Sequence, residues 1–212
     1  MTLGRFIAFE GGEGVGKSTQ ARLLAEALEA EGKTVLLTRE PGGTDGAEAI
    51  RTLLLDPPGE GWGARAEALL FAAARSDHVE RLVRPGLERG DWVVSDRFID
   101  SSRAYQGFAG GLGDDAIRTL HELGSEGLRP DLTIVLEAPA ERIAERLARR
   151  DGGTADAIGG RDGDYHARVN AAFRTIARED PDRFVVIASD ATPAEVHARI
   201  VEAVTDRLGL RG

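Results

Sequence analysis

The stretch Gly11-Gly12-Glu13-Gly14-Val15-Gly16-Lys17-Ser18 follows the pattern G-x-x-x-x-G-K-[ST], and what flanks it limits the folds open to this chain. Phe6 to Phe9 before it is a continuous apolar run. Ser18 to Ala30 after it carries Leu23, Leu24, Ala27 and Leu28 at helical spacing and stops at Gly32. A glycine-rich turn between a buried strand and an amphipathic helix lets consecutive backbone N–H groups wrap a polyphosphate, with the helix N-terminus adding partial positive charge. Gly11 to Thr19 are therefore the expected nucleotide-binding loop. Lys17 supplies a point charge for the β- and γ-phosphates, and the Ser18 hydroxyl can complete a magnesium shell.

Four more apolar runs read as strands covered on both faces: Val35 to Leu37, Trp92 to Val94, Leu132 to Leu136 and Phe184 to Ile187. Segments of helical spacing alternate with them over Ala64 to Leu87, Asp114 to Leu123, Pro139 to Arg150, Asp164 to Arg178 and Pro193 to Leu208. This order predicts an α/β chain with the three-layer P-loop NTPase fold, a five-stranded parallel sheet with helices on both faces. At 212 residues it suits one domain spanning 1–212. Asp56 to Gly63, Gly107 to Gly113 and Asp151 to Gly163 break the pattern. The last follows Arg149-Arg150 and reads either as a solvated loop or as a mobile lid, about 149–164, that carries positive charge over a site.

Composition removes other classes. With no cysteine there is no disulfide, thiolate metal site or cysteine nucleophile, which is compatible with a reducing cytoplasm. His78, His121, His166 and His197 never fall at metal-binding spacing. A net charge of -9 disfavours nucleic acid as a partner. No apolar run approaches membrane length and the start, MTLGRFIAFE, does not read as a leader, so a cytoplasmic protein is expected. Of the basic residues only Lys17 and Lys33 are lysines, which reads either as base-composition bias or, at Lys17, as a position where lysine itself is needed.

Trp92-Val93-Val94-Ser95-Asp96 is an apolar strand ending in a carboxylate, which can approach a metal beside the phosphate loop. Together with Ser18 it predicts Mg2+ held with ATP. Glu10, Arg39, Asp96, Arg97 and Ser189-Asp190 collect where strands end, the edge at which open α/β sheets bind ligands. A guanine-reading N-K-x-D is absent, while Arg39, Arg75 and Arg97 are placed to clamp a second anion.

With these residues in view the chain resembles the thymidylate kinases. Phe9-Glu10-Gly11-Gly12-Glu13-Gly14 matches the family's F-E-G-x-[DE]-G. Thr38 to Thr44 reads T-R-E-P-G-G-T, and Arg51 to Asp56, Leu70 to Arg75, Asp96-Arg97-Phe98, Ser101 to Gly107 and Arg129 to Thr133 follow in the family's order over about residues 5 to 190. The resemblance implies an ATP:dTMP phosphotransferase of dTTP biosynthesis, acting as a homodimer. It implies that Phe71 stacks on thymine with Arg75 at the base edge, and that Arg39 and Arg97 hold the acceptor phosphate. Ser102, Tyr105 and Gln106 would form the nucleoside pocket, with Tyr105 crowding the sugar 2′ position, and Glu13 would contact the 3′-hydroxyl. From periodicity alone Phe71 is equally a core residue.

Gly14 stands where one subclass carries a loop arginine, so the resemblance implies the subclass whose extra arginine comes from the lid. The family's Asp-Arg ahead of D/E-[FY]-H-x-R-V is Asp156-Ala157 here, while Asp164 to Val169 keeps the second motif. Arg149, Arg150 and Arg161 are the candidates, and Arg149 or Arg150 is favoured because each ends a helix. Two alternatives stay open at this point: a nucleoside monophosphate kinase of relaxed base choice, and a nucleotide-binding protein without turnover.

Overall fold

The computed structural model describes residues 4–139, 141–143, 146 and 162–209. Five strands, β1 (Arg5–Glu10), β2 (Val35–Arg39), β3 (Trp92–Asp96), β4 (Leu132–Glu137) and β5 (Phe184–Ala188), form one sheet in the order β2-β3-β1-β4-β5 with every pair parallel. The three-layer α/β P-loop arrangement expected from the sequence is the one observed. The helices are α1 (Lys17–Ala30), α2 (Asp45–Leu55), α3 (Ala64–His78), α4 (Arg84–Arg89), α5 (Ile99–Ser102), α6 (Asp114–Ser125), α7 (Gly163–Glu179) and α8 (Pro193–Leu208). Of the helix expected over Pro139 to Arg150, 141–143 and Arg146 are helical and much of the rest lies outside the described residues, as do Arg149, Arg150, Arg161 and most of the expected lid.

Alternation of side chains along each strand divides the core between the two faces. Ile7, Phe9, Val94, Leu132, Ile134 and Leu136 pack under α1 and α8, against Leu24, Leu28, Val196, Ile200 and Val204. Phe6, Ala8 and Val93 point the other way, toward Ala68, Val79, Val83, Phe98 and Ile117. Val135 joins the same side beneath α7, with Val169, Phe173 and Ile176. Burial of each large side chain contributes on the order of 1.5–3 kcal/mol.

Two segments depart from the sequence reading. Ala64 to Leu87 is not one uniform helix: Val79–Val83 widens into a π-helical turn before α4. Pro85 has no N–H to donate and its ring crowds the preceding turn, which a widened turn accommodates. Gly107 to Gly113 does not begin a free loop, because Arg103–Ala109 is also π-helical and continues α5. In such a turn residues four and five apart share a face, so Ser101, Ser102, Tyr105 and Gln106 all reach one cleft.

Candidate active site

Register brings the polar ends of three strands to one edge. Phe9 lies opposite Asp96, and Asp96 opposite Arg39, so Glu10, Asp96 and Arg39 emerge side by side. There the chain leaves β1 through the phosphate loop. Gly11 has φ 130, and a Cβ on it would strike the Leu136 carbonyl, so only glycine lets the loop turn against β4. The loop ends at α1, which has no side-chain cap and no acidic residue in its first turn. By contrast α2, α6 and α8 carry Asp45, Asp114 and Glu195 in their first turns. The positive end of α1 is thus left for an external anion.

Lys17 Nζ donates to the carbonyls of Gly12 (2.6 Å) and Gly11 (3.2 Å) and is buried. Burial, reinforced by the Arg97 charge, pushes its ammonium down to about 8 despite the carboxylates of Glu13, Asp96 and Glu10. Ser18 Oγ donates to Asp96 Oδ2, while Asp96 Oδ1 is buried with no hydrogen-bond partner. An orphaned carboxylate oxygen beside a hydroxyl is the oxygen set magnesium takes when phosphates and water complete its shell, so these residues fit the ion.

Arg97 has φ 76, a strained backbone for a side chain of its size, held by its N–H to the Phe9 carbonyl (2.9 Å). Its guanidinium donates to Ser101 Oγ (2.9 Å), the Gly11 carbonyl (3.2 Å) and Glu13, and lies 5.2 Å from the centre of the Tyr105 ring. Glu13 is therefore the counter-ion of Arg97, which accounts for a carboxylate inside an anion-binding loop; the Tyr105 hydroxyl also donates to it at 3.3 Å. Beneath them Glu10, fully buried, accepts from Phe98 N (2.8 Å), Ser101 N (2.9 Å) and Ser101 Oγ (2.6 Å), and so fixes the turn that carries Arg97. Burial, then repulsion from Asp100, lifts the Glu10 carboxyl to about 7.

Above the buried Glu10 lies one cleft of about 630 Å³. It contains Glu13, Gly14, Gly16, Lys17, Ser18 and Thr19 of the loop, then Arg39, Phe71, Arg75, Asp96, Arg97, Ser102, Tyr105 and Gln106. Gly11, Gly12 and Val15 do not line it; Val15 is a core side chain whose carbonyl takes the Ser189 hydroxyl at 2.7 Å. Phe71 is half-buried at the cleft wall rather than in the core. Arg75 is held by Glu40 (2.7 Å) and Ser102 (2.9 Å), Gln106 by Glu67 (2.9 Å), and Arg39 by Glu48 (2.9 Å).

Sequence reasoning gave no role to two arginines that line the same cleft. Arg51, on α2, donates to the Pro41 carbonyl at 2.7 Å. Arg146 donates to the Val15 carbonyl (3.0 Å) and to Ser189 Oγ (3.1 Å), and so ties the loop to the end of β5. Arg146 lies three and four positions before Arg149 and Arg150 in the sequence, within the Pro139 to Arg150 segment of helical spacing, and that proximity was the signal that could have found it.

A phosphate loop with its lysine and hydroxyl, a carboxylate at the neighbouring strand and a cluster of arginines in the same cleft define a nucleotide-dependent phosphotransferase of the P-loop class. The comparisons narrow the class. The family model described as thymidylate kinase matches residues 9–200. The thymidylate kinase of Rhizorhabdus wittichii is 57% identical over 205 residues, 97% of this chain and 99% of the relative, and that of Caulobacter vibrioides 49% identical over 210 residues, 99% and 100%. A crystal structure of thymidylate kinase from Ehrlichia chaffeensis superposes with a TM-score of 0.78 at 32% identity, covering 95% of this chain and 99% of that one. The chain belongs to the thymidylate kinase family.

Proposed function

We propose that this chain transfers the γ-phosphoryl group of ATP to dTMP through the residues of the cleft. The observation that carries the reading is the joining, in one cleft, of Lys17, Ser18 and Asp96 with Arg97, Phe71, Arg75 and Tyr105. ATP phosphates lie along the loop and the N-terminus of α1, with Lys17 on the β- and γ-phosphates. The acceptor nucleotide lies between Phe71 and the Arg97–Tyr105 wall, its phosphate on Arg97 and Arg39 and its base edge on Arg75. Because a phosphate monoester is ionised at neutral pH, the attacking oxygen needs no strong general base. Catalysis is positioning and charge neutralisation. Arg97 matches a phosphoryl group with paired N–H bonds that lysine cannot form. Ser18 and Asp96 would hold Mg2+, which when bound neutralises charge on the β- and γ-phosphates.

Arg149 or Arg150 supplies the further positive charge over the transferred group; an unchanged kcat in both single alanine variants would remove that role. A homodimer is part of the same reading, supported by the exposed Leu53, Leu69 and Leu123 on helices α2, α3 and α6, of which α3 packs against the other two. Sedimentation should give about twice the 22.6 kDa chain mass, and the single-chain mass refutes it. The cytoplasm is the proposed compartment, consistent with the absence of cysteine. Among the described residues no helix is long and apolar enough to cross a membrane. The deciding experiment is an ATP-coupled assay across dTMP, dUMP, UMP, CMP and AMP. dTMP should be phosphorylated fastest, and AMP or CMP in first place overturns the reading.

A further inference from the structure

Behind the base edge of the cleft a line of polar groups, buried from His78 onward, runs from Thr38 through His78 and Glu40 to Arg75 and Ser102 at the cleft wall. Thr38 Oγ1 is 2.8 Å from His78 Nε2, His78 Nδ1 is 2.9 Å from Glu40 Oε1, and Arg75 Nε donates to Glu40 Oε2 at 2.7 Å. Arg75 Nη2 then donates to Ser102 Oγ (2.9 Å) and to the Phe98 carbonyl (3.3 Å). A carboxylate only accepts, so the Nδ1 nitrogen of His78 carries the proton toward Glu40, and the Thr38 hydroxyl fills the Nε2 side. His78 is wholly buried. Gly43, at φ 92, seals it: a Cβ there would meet Thr38 Oγ1 and come within 2.8 Å of the imidazole.

The geometry has a consequence for Arg75. With Nε and Nη2 engaged, Nη1 is the guanidinium nitrogen that makes no hydrogen bond among the described residues, and Arg75 lines the cleft. Which nitrogen is left over depends on where Glu40 sits. Its carboxylate bridges two donors, and taking away the His78 donor leaves Oε1 buried and unpaired, so the carboxylate rotates and Arg75 rotates with it. Burial alone would raise the Glu40 carboxyl, but Arg75 and His78 together hold it below the usual carboxylate range, so the bridge is ionic. Thymine presents an O4 acceptor where cytosine presents an N4 amino donor, and a guanidinium offers donors only. Fixing Nη1 toward the base therefore favours thymine and leaves a cytosine amino group facing a donor.

We propose that His78 is a positioning residue for base recognition, acting through Glu40 to set the rotation of Arg75 and hence the discrimination between dTMP and dCMP. The inference rests on the reading that dTMP occupies the acceptor side of the cleft. The test compares His78→Asn, which keeps a donor near the Nδ1 position, with His78→Gln, which places its amide near Nε2, and with His78→Leu. For each, kcat/KM is measured for dTMP and dCMP at saturating ATP, with KM for ATP as control. His78→Asn should stay within about threefold of the wild type in selectivity. His78→Gln and His78→Leu should lose about tenfold in dTMP over dCMP, through KM for the acceptor, with KM for ATP unchanged. A role confined to packing predicts that Asn and Gln behave alike, and that result overturns the proposal, as does unaltered selectivity in a folded His78→Leu. Should these variants fail to fold, Thr38→Val removes only the hydroxyl on Nε2 and decides the matter: a selectivity loss beyond about threefold upholds the proposal, and a smaller one refutes it. A wild type that does not prefer dTMP refutes the acceptor reading instead, which keeps the two failures apart.

Discussion

The charge of Lys17 is held at a cost that nucleotide binding should reveal as a pH dependence. Burial lowers the ammonium from 10.5 to about 8. The folded chain gives up this proton near 8 and the unfolded chain near 10.5, so between those values the unfolded chain binds more protons and stability rises with pH. Below pH 8 the folded chain carries a destabilisation of about 3 kcal/mol from keeping the charge, at roughly 1.4 kcal/mol per pH unit. A polyphosphate at the loop supplies the counter-charge that burial removes, so binding selects the charged form. At pH 9 only about one chain in ten carries it, and Mg–ATP affinity should be about tenfold weaker than at pH 7. Calorimetric titration without acceptor from pH 7 to 9.5 should give a logarithm of the association constant that bends near 8 and then falls by about one per pH unit. Lys17→Gln should bind more weakly at pH 7 and lose that bend, while a separate inflection near 7 from Glu10 survives. Affinity that stays level to pH 9.5 in the wild type refutes the argument.

Arg97→Lys should lower kcat on the order of 100-fold or more in the coupled assay, because one ammonium cannot span Ser101, Glu13 and the Gly11 carbonyl as the guanidinium does; a loss under about threefold contradicts its assigned role. Gly43→Ala should lower stability by about 2 kcal/mol or more in urea unfolding, since its φ of 92 and the imidazole behind it both oppose a methyl group. Glu10→Gln reads out the opposite linkage: the wild-type carboxyl is held at about 7 against 4.5 unfolded, so the folded chain binds more protons between those values and stability falls as pH rises. The variant's stability relative to wild type should climb by about 3 kcal/mol from pH 4.5 to pH 7.5, and a pH-independent difference would show that Glu10 does not titrate there.

The parts of this molecule legible in its sequence are those governed by short-range rules. All five strands announced themselves as apolar runs, and the observed ends differ by two residues or fewer because continuous Val, Ile, Leu and Phe leave little room for another assignment. The phosphate loop was legible because its glycines, lysine and hydroxyl are adjacent in the chain. Helix α2 went unread: Asp45–Leu55 follows two glycines, and its cap, the Thr44 side chain accepting from Ala47 N, is one threonine among many in the sequence. The π-helical turn over Arg103–Ala109 was hidden for a different reason, since Arg103 is held by Asp100, Asp114 and Glu179, three carboxylates from separate elements. No local pattern encodes that convergence.

The same distinction applies to the site's charges. A composition of net charge -9 conceals a cleft lined by Lys17, Arg39, Arg51, Arg75, Arg97 and Arg146. Several of these cations are matched with carboxylates: Arg97 with Glu13, Arg39 with Glu48, Arg75 with Glu40. The first two pairs are partly exposed, so an incoming phosphate can exchange with Glu13 or Glu48 at modest expense. The third is buried, and breaking it would strand a charge at a cost of about 3–5 kcal/mol. The cleft is thus graded. On the proposed reading, the arginines assigned to the acceptor phosphate, Arg97 and Arg39, are held by partners they can leave, whereas Arg75, assigned to the base, is locked to one it cannot, which is what specificity for a neutral base edge would require.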